Sequence, residues 1–401
     1  MTAVSSDARR IIAAQGVRAL GYGCTAVLLG ALIAARDYSP LRAGLLLGVT
    51  VAGTAGSALV VGAVADRVGR RRCFIALYAG LAAAGAVVAA GAGYPLLLAV
   101  AATGLLSTDV VDNGPATTLE QAILAGESTA AAGKSGARVY GLYNAVASVC
   151  GALGALLAAV PTLLGGEPTA TWPFLILVPI GLAGAALAAS LSPTVEGRTV
   201  EGGTGAARGR LTVSRRRVRA LAALFAVDAG GGGLVTASFL AYYLAQRYDA
   251  SASTLGILFF GTSLLQAGSV WLAPRLADRI GLVPTMVATH LPSNVLLASV
   301  AFAPNLHVAV ALLLARTSLS QMDVPTRQAL VMQTVTPEER TPAAALTNAA
   351  RYTVRPVGPL AGGVLQQVWM GLPLLVSGTV KGGYDVALWV WFRRTERSRV
   401  S

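Results

Sequence analysis

Long apolar runs, separated by short polar segments, dominate this chain. The hydrocarbon core of a bilayer is about 30 Å thick, and a helix needs about 20 apolar residues to cross it. Windows of that length predict twelve transmembrane helices, here called spans one to twelve. They cover residues 14–35, 42–64, 73–93, 95–118, 138–160, 171–191, 218–244, 252–274, 282–303, 305–325, 343–367 and 372–392. The pattern therefore predicts an all-α membrane protein whose two termini lie on the same side.

The spans divide into two sets of six around a polar segment. Residues 192–217 are rich in Gly, Thr and Arg, which is typical of a linker. We therefore expect an N-terminal lobe of six helices at 1–191, a cytoplasmic linker at 192–217 and a C-terminal lobe of six helices at 218–401.

The two halves repeat short patterns in matching helices. Ala65-Asp66-Arg67-Val68-Gly69 follows span two, and Ala277-Asp278-Arg279-Ile280-Gly281 follows span eight. Three pairs of positions carry the repeat, Asp66 with Asp278, Asp112 with Asp323 and Asn144 with Asn348, at separations of 212, 211 and 204 residues. Both halves start on the same side, so the repeat is parallel and predicts a pseudo-twofold axis between two lobes.

Composition excludes a soluble protein. Hydrophobic residues make up 55% of the chain and charged residues only 12%, whereas a soluble domain carries about 25% charged residues. The net charge of +13 would suit a nucleic-acid partner, but only 6% of the residues are aromatic, too few for stacking on single strands.

The positions of the basic residues account for the charge instead. Of the 31 Lys and Arg residues, 23 lie on the side of the termini, Arg327 among them, and 3 on the opposite side. The other 5 fall inside spans: Arg18, Arg316, Arg351, Arg355 and Lys381. Because cytoplasmic loops carry the excess of Lys and Arg, both termini are expected in the cytoplasm. We expect a multi-pass protein of the plasma membrane, with the lipid bilayer and no nucleic acid as partner.

One loop resembles a family signature. Gly62-Ala-Val-Ala-Asp66-Arg67-Val-Gly69-Arg70-Arg71-Arg72 is similar to the sequence G-x-x-x-D-R-x-G-R-R-[KR], which the major facilitator superfamily carries between spans two and three. The strings His290-Leu-Pro-Ser-Asn294 and Ser320-Gln-Met-Asp323-Val-Pro325-Thr-Arg327-Gln328 resemble a mostly prokaryotic branch of that family. The resemblance implies two six-helix lobes, alternating access, a small-molecule substrate, a monomer, and no cofactor beyond a proton gradient as energy source.

The resemblance also assigns a role to this loop. In the superfamily the loop closes the cytoplasmic side of the transporter in its outward-open state. The residues it marks here are Gly62, Asp66, Arg67, Gly69 and Arg70, with the repeat at Asp278, Arg279 and Gly281. For Arg70–Arg72 the alternative is that they only anchor the topology.

Charged residues inside spans are the candidates for coupling and substrate binding, because a charge at mid-bilayer costs at least about 2.5–3.5 kcal/mol. Asp228 stands near the middle of span seven, before four glycines that suit a bent or unwound segment. It is the first candidate for proton or cation coupling; the alternative is a structural pair, with Arg316 or Arg355 as partner. Further cavity candidates are Arg316, Asp323, Arg355, Asp109, Asp112, Asn144 and Asn348.

Other polar and small residues have a structural interpretation. Lys381 and Asp385, four residues apart, are expected to neutralise each other, and His290 and His307 are expected at helix ends. Close helix packing is expected at Gly154, Gly358, Pro359, Gly362 and Gly363. A G-P-x-x-G-G string of this kind lies in span five of drug/proton antiporters but in span eleven here, which weakens an exporter assignment.

The sequence favours a secondary active transporter rather than an enzyme. It contains no C-x-x-C, G-x-S-x-G or H-E-x-x-H motif, and Gly133-Lys134-Ser135 lacks the spacing of a phosphate loop. We expect proton-coupled export of a small amphiphilic compound. The alternative is uptake or facilitated diffusion of a polar metabolite; a membrane enzyme or sensor is less favoured.

The charge asymmetry gives a direct test of topology. Alkaline phosphatase, which is active only outside the cytoplasm, should be inactive when fused after Ser401, because the positive-inside rule holds that end in the cytoplasm. The same reporter fused at residue 249, between spans seven and eight, should be active. High activity after Ser401 would refute the twelve-span topology.

Overall fold

The computed structural model describes residues 5–108, 114–130, 135–163, 170–197, 211, 214–336 and 339–400. These residues form helices and connecting turns, with no β-strand among them. In the first half the helices are α1 (Ser6–Ala35), α2 (Pro40–Val68), α3 (Arg70–Ala89), α4 (Tyr94–Ala102), α5 (Pro115–Ala130), α6 (Ser135–Leu157), α7 (Val160–Leu163), a 3₁₀ turn (Trp172–Ile176), α8 (Leu177–Ala189) and α9 (Thr194–Gly197). In the second half they are α10 (Arg215–Gly233), α11 (Ala237–Tyr248), α12 (Ala252–Ile280), α13 (Leu282–Val300), α14 (Leu306–Ser320), α15 (Asp323–Thr334), α16 (Arg340–Val354), α17 (Val357–Val368) and α18 (Leu372–Val400).

The helices occupy the twelve predicted spans in order. Within the described ranges, six are long and apolar enough to cross a membrane by length and composition: Ser6–Ala35, Pro40–Ala65, Arg70–Ala89, Trp172–Ala189, Arg215–Tyr248 and Ala252–Ile280. Spans four and ten are longer than predicted, because α5 continues to Ala130 and α15 to Thr334. These extensions contain polar residues, Glu120 among them, so a prediction from apolar windows places the ends of both spans too early.

Several spans contain a break at a position that the local sequence explains. In span seven, α10 ends at Gly233, the last of four consecutive glycines, and helix resumes at Ala237. Glycine weakens a helix by about 1 kcal/mol per residue relative to alanine, so the run provides a stop. Spans ten and eleven break between α14 and α15 and between α16 and α17; Pro356 lies in the second break.

The repeated loop has the same turn in both halves. Gly69 joins α2 to α3 with φ +103°, and Gly281 joins α12 to α13 with φ +92°. Both values lie in the left-handed region, which only glycine adopts at low cost. After Gly69, the backbone N–H groups of Arg70 and Arg71 donate to the carboxylate of Glu196 at 2.6 and 3.1 Å, so an acidic side chain caps the start of α3.

Small residues bring the first and fifth spans of each half into close contact. A methyl group on Gly154 of α6 would collide with the Leu20 carbonyl oxygen of α1. In the second half, a methyl group on Gly358 of α17 would collide with the backbone of Gly233 in α10. Gly154 and Gly358 hold corresponding positions of the repeat, so both halves use the same crossing.

By its contacts the chain forms two compact units. One comprises Met1–Tyr38, Val49–Gly205 and Leu240–Ser263. The other comprises Ser39–Gly48, Ala206–Phe239 and Leu264–Ser401. Within the second unit, Gly363 of α17 packs against Gly44 at the start of α2, which explains why that short stretch belongs there. Within the first, Gly256 of α12 packs against Ala155 of α6.

The crossing at Gly154 should be sensitive to a single methyl group. Gly154→Ala is expected to lower the unfolding temperature, because overpacking costs typically about 1–3 kcal/mol. Gly56→Ala is the matched control, since Gly56 has open space around its Cα and alanine is the better helix former. Differential scanning fluorimetry of the purified protein in detergent measures both; equal unfolding temperatures would contradict the close crossing.

Candidate functional site: a buried charge network

Asp228 forms the centre of an ionic network between three helices. It is only 4% exposed. Its Oδ1 accepts a hydrogen bond from Lys381 Nζ of α18 at 2.6 Å, and its Oδ2 accepts from Arg327 Nη1 of α15 at 3.4 Å. Asp228 lies about 20 Å along the axis from the start of α10, so these charges lie deep in the span. The network links α10, α15 and α18 by charge.

Arg327 binds a second carboxylate as well. Its Nη1 donates to Asp323 Oδ2 at 2.7 Å, one turn earlier on α15. The expectation that Arg327 belongs to the basic residues of the cytoplasmic side is wrong, because α15 continues past Pro325 and the side chain is 6% exposed inside the unit.

His290 connects two carboxylates. Its Nδ1 lies 2.8 Å from Asp385 Oδ1, and its Nε2 lies 3.7 Å from Asp228 Oδ1. Asn294 donates to the other oxygen of Asp385 at 2.9 Å. The expectation of a helix-end position is wrong for His290, since α13 continues through Pro292 and buries the ring. His307 does stand at a helix end, as the second residue of α14.

Two expected ion pairs are replaced by others. Lys381 and Asp385 do not neutralise each other, because Lys381 reaches Asp228 and Asp385 is held by His290 and Asn294. Asp228 is paired, but its partners are Lys381 and Arg327 rather than Arg316 or Arg355. For Lys381 and Asp385, partners on neighbouring helices therefore replace the neighbour four residues away.

Two further arginines of the second unit, Arg316 and Arg351, have no carboxylate partner among the described residues. In both, the Nε is buried without a hydrogen-bond partner. Neither forms an ion pair with any residue in the described ranges. The break between α14 and α15 lies between Arg316 and Asp323, and the acid is bound to Arg327 instead.

The first half contains a second ionic cluster that the sequence reading missed. Arg18 Nη2 of α1 donates to Glu120 Oε2 of α5 at 2.6 Å and to Thr117 Oγ1 at 3.1 Å, and also to Gln15 Oε1. Tyr143 of α6 donates to the same oxygen of Glu120 at 2.5 Å. Glu120 is completely buried. Arg18 was recognised as a charge inside span one, but Glu120 lay beyond the predicted end of span four.

The two clusters occupy corresponding places in the repeat. Arg18 and Asp228 are 210 residues apart, and so are Thr117 and Arg327. In each half a charge on the first span meets an opposite charge on the fourth, with the signs reversed, although Glu120 lies one turn beyond Thr117, the residue that corresponds to Arg327. Because the residue types differ, comparing identities between the halves does not reveal this correspondence.

The remaining predicted residues are placed as follows. Asp109 and Asp112, and the side chain of Asp66, lie outside the described residues. Asn144 and Asn348 are exposed at matching positions of α6 and α16. Arg70 is buried, whereas Arg67, Asp278 and Arg279 are exposed. Arg355 lies in the break between α16 and α17, Gly62 lies in α2, and Gly358, Pro359, Gly362 and Gly363 are buried in α17.

The repeat and the loop after α2 agree with a known family. Residues 11–359 match the sequence model of the Major Facilitator Superfamily. The chain belongs to this superfamily. The relative "Uncharacterized membrane protein YJR124C" of Saccharomyces cerevisiae is 24% identical over 421 residues, covering 96% of this chain and 93% of that protein.

Solved major facilitator structures share the fold. The nucleoside transporter NupG superposes with a TM-score of 0.74 at 12% identity, covering 97% of this chain and 99% of that one. The D-xylose-proton symporter gives a TM-score of 0.71 at 15% identity, with 95% and 97% covered. A bacterial homologue of the iron transporter ferroportin gives 0.72 at 14% identity, with 97% and 99% covered. This major facilitator protein is a membrane-embedded transporter of a small molecule, not an enzyme.

The pair between Asp228 and Lys381 can be tested by double substitution. Asp228→Asn should cost about 3–5 kcal/mol, because it leaves Lys381 buried with a weakened partner. Adding Lys381→Met should restore part of that loss. Asp249→Asn, in an exposed turn, should change stability by less than about 0.5 kcal/mol. Additive losses in the double variant, measured by chemical unfolding in detergent, would show that the two side chains are not coupled.

Proposed function

We propose that this protein is a proton-coupled secondary transporter that exports a small amphiphilic compound by alternating access. The observation that carries the proposal is the position of His290 between the carboxylates of Asp228 and Asp385. Imidazole exchanges its proton in the physiological pH range, and ionisable residues within transmembrane segments mark proton pathways. Support for a membrane transporter comes from the family itself.

The contacts suggest how a proton acts on the helices. A proton arriving at Asp228 removes the charge that holds Lys381 and Arg327, and so weakens the link between α10, α15 and α18. The groups that contact His290 are Asp385 and Tyr384 on α18, Asp228 on α10 and Asn294 on its own helix. One contact further, Asp228 binds Lys381 of α18 and Arg327 of α15, and Arg327 binds Asp323. Proton binding and helix contacts are thus coupled through a single carboxylate.

The repeated loops are the proposed cytoplasmic gate, with both termini in the cytoplasm of a monomeric plasma-membrane protein. The equal turns at Gly69 and Gly281 support equal roles in the two halves. Arg71 donates to the carbonyl oxygen of Ala189, and Glu196 caps α3, so the loop after α2 is tied to the end of span six and to the linker. Movement of the loop after α2 would therefore be transmitted to those segments.

Uptake or facilitated diffusion of a polar metabolite is the second candidate. Its support is that solved structures with this fold include a nucleoside transporter and a D-xylose-proton symporter. The number of charged side chains buried in the second unit also suits a polar solute. The two candidates differ in the direction in which a proton gradient drives the solute.

Everted membrane vesicles separate these functions. A ligand is first found by thermal-shift screening of the purified protein and is then added to respiring vesicles whose acid interior is reported by the dye ACMA. An exporter that exchanges the compound for protons restores the dye fluorescence; uptake and facilitated diffusion do not.

His290→Gln tests the coupling residue. The expected result is loss of the fluorescence recovery, with ligand binding retained in the thermal-shift assay, because the proton site is removed and the helices remain. His307→Gln, exposed at a helix end, is the matched control and should behave as wild type. Full recovery in His290→Gln would refute its role in coupling.

A further inference from the structure

Arg316 lies in the middle of a span, is partly exposed, and forms no ion pair with a residue in the described ranges. It lies about 15 Å along α14 from Leu306, and its Nε is buried without a hydrogen-bond partner. Arg18, Arg327 and Lys381 each reach a carboxylate at 2.6 or 2.7 Å, whereas no carboxylate in the described ranges pairs with Arg316. This guanidinium therefore differs from those three buried cations.

Such a charge needs a partner. A cation inside the bilayer is costly unless it is paired or hydrated, and such residues mark substrate pathways. The nearest acid along its own sequence, Asp323, is already bound to Arg327 beyond the helix break. The nearest acid in its own span is therefore already paired.

The surroundings on α14 define what kind of molecule fits. Leu312, one turn before Arg316 on α14, is partly exposed and offers an apolar neighbour to the body of a ligand. Ser320, one turn after Arg316, is buried, and its hydroxyl donates to the Thr317 carbonyl oxygen at 3.5 Å. The planar guanidinium binds carboxylate or phosphate through two parallel hydrogen bonds.

We propose that Arg316 binds the oxyanion group, a carboxylate or a phosphate, of the transported amphiphile. This inference rests on the proposed transport function and narrows its substrate class to organic anions. A cationic substrate would need a free acid, and Asp228, the leading acid in the sequence, is held by Lys381 and Arg327.

Binding is measured on the full-length protein in lipid nanodiscs by titrating two probes against thermal unfolding. p-Aminohippurate supplies a carboxylate on an aromatic body, and phenyl phosphate supplies a phosphate. The uncharged amide of p-aminohippurate has the same shape without the charge. We expect saturable stabilisation by at least one anion and none by the amide.

Substitutions locate the site. Arg316→Gln should weaken the binding of the anion about ten- to a hundredfold, the value of a charge-assisted hydrogen-bond pair. Arg275→Gln is the matched control, since Arg275 is exposed and stacks on the Trp271 ring at 3.5 Å. If Arg316→Gln does not fold, Arg316→Lys takes its place; it retains the charge but not the paired donors, and should weaken binding of the same probe.

The outcomes separate the possibilities. Binding of one probe alone identifies carboxylate or phosphate as the recognised group. Equal binding by wild type and the Arg316 variant, or stabilisation by neither anion, would overturn the proposal. Because no gradient is present in this binding assay, its failure would leave proton-coupled transport standing. If the wild-type protein binds the anion but gives no ACMA response with it, proton coupling alone would be refuted.

Discussion

In a bilayer, a charged side chain that cannot reach water must find an opposite charge, and this requirement organises the second unit of the protein. Lipid tails are as apolar as leucine, so helices do not associate there by the hydrophobic effect; packing of small residues and polar contacts hold them together. Asp228 meets this requirement by binding Lys381 and Arg327, and so fastens three helices at one point. The helix crossings at Gly154 and Gly358 hold other helices together through backbone contacts.

The features that follow from local rules were predictable from the sequence. The length of the apolar runs predicts the spans, and the four glycines predict a weak point in span seven, where α10 ends at Gly233. The repeated loop predicts two equivalent turns, which are seen at Gly69 and Gly281. The partners of the buried charges were not predictable in this way. Spacing of four residues favours a pair in an isolated helix, but Lys381 packs beside Asp228 of another helix, and that contact depends on tertiary structure. Glu120 was missed for a simpler reason, since polar residues shortened the apolar window of span four.

The two ionic clusters show what a structural repeat preserves. The contact between a charge on the first span and an opposite charge on the fourth recurs, and so does the crossing of the first and fifth spans, while the signs are reversed between Arg18 with Glu120 and Asp228 with Arg327. An ion pair can reverse its sign without changing its geometry much, provided both partners change together. A repeat of this kind is therefore easier to recognise from the contacts between spans than from the residue types.

The crossings at Gly154 and Gly358 have a mechanical consequence. Because each contact is formed by main-chain atoms with no side chain between them, the paired helices cannot slide or roll against each other without a collision. Each pair must therefore move as one stiff body. Bending during a conformational cycle is then left to the helix interruptions at residues 234–236, 321–322 and 355–356 in the second unit. At the first two, backbone hydrogen bonds run from residue i to i−3, and at the third Pro356 has no N–H to donate. Asp228 and Asp323 lie within about two turns of an interruption and Arg355 lies inside one, so a change in their pairing acts close to the points where a helix can change direction.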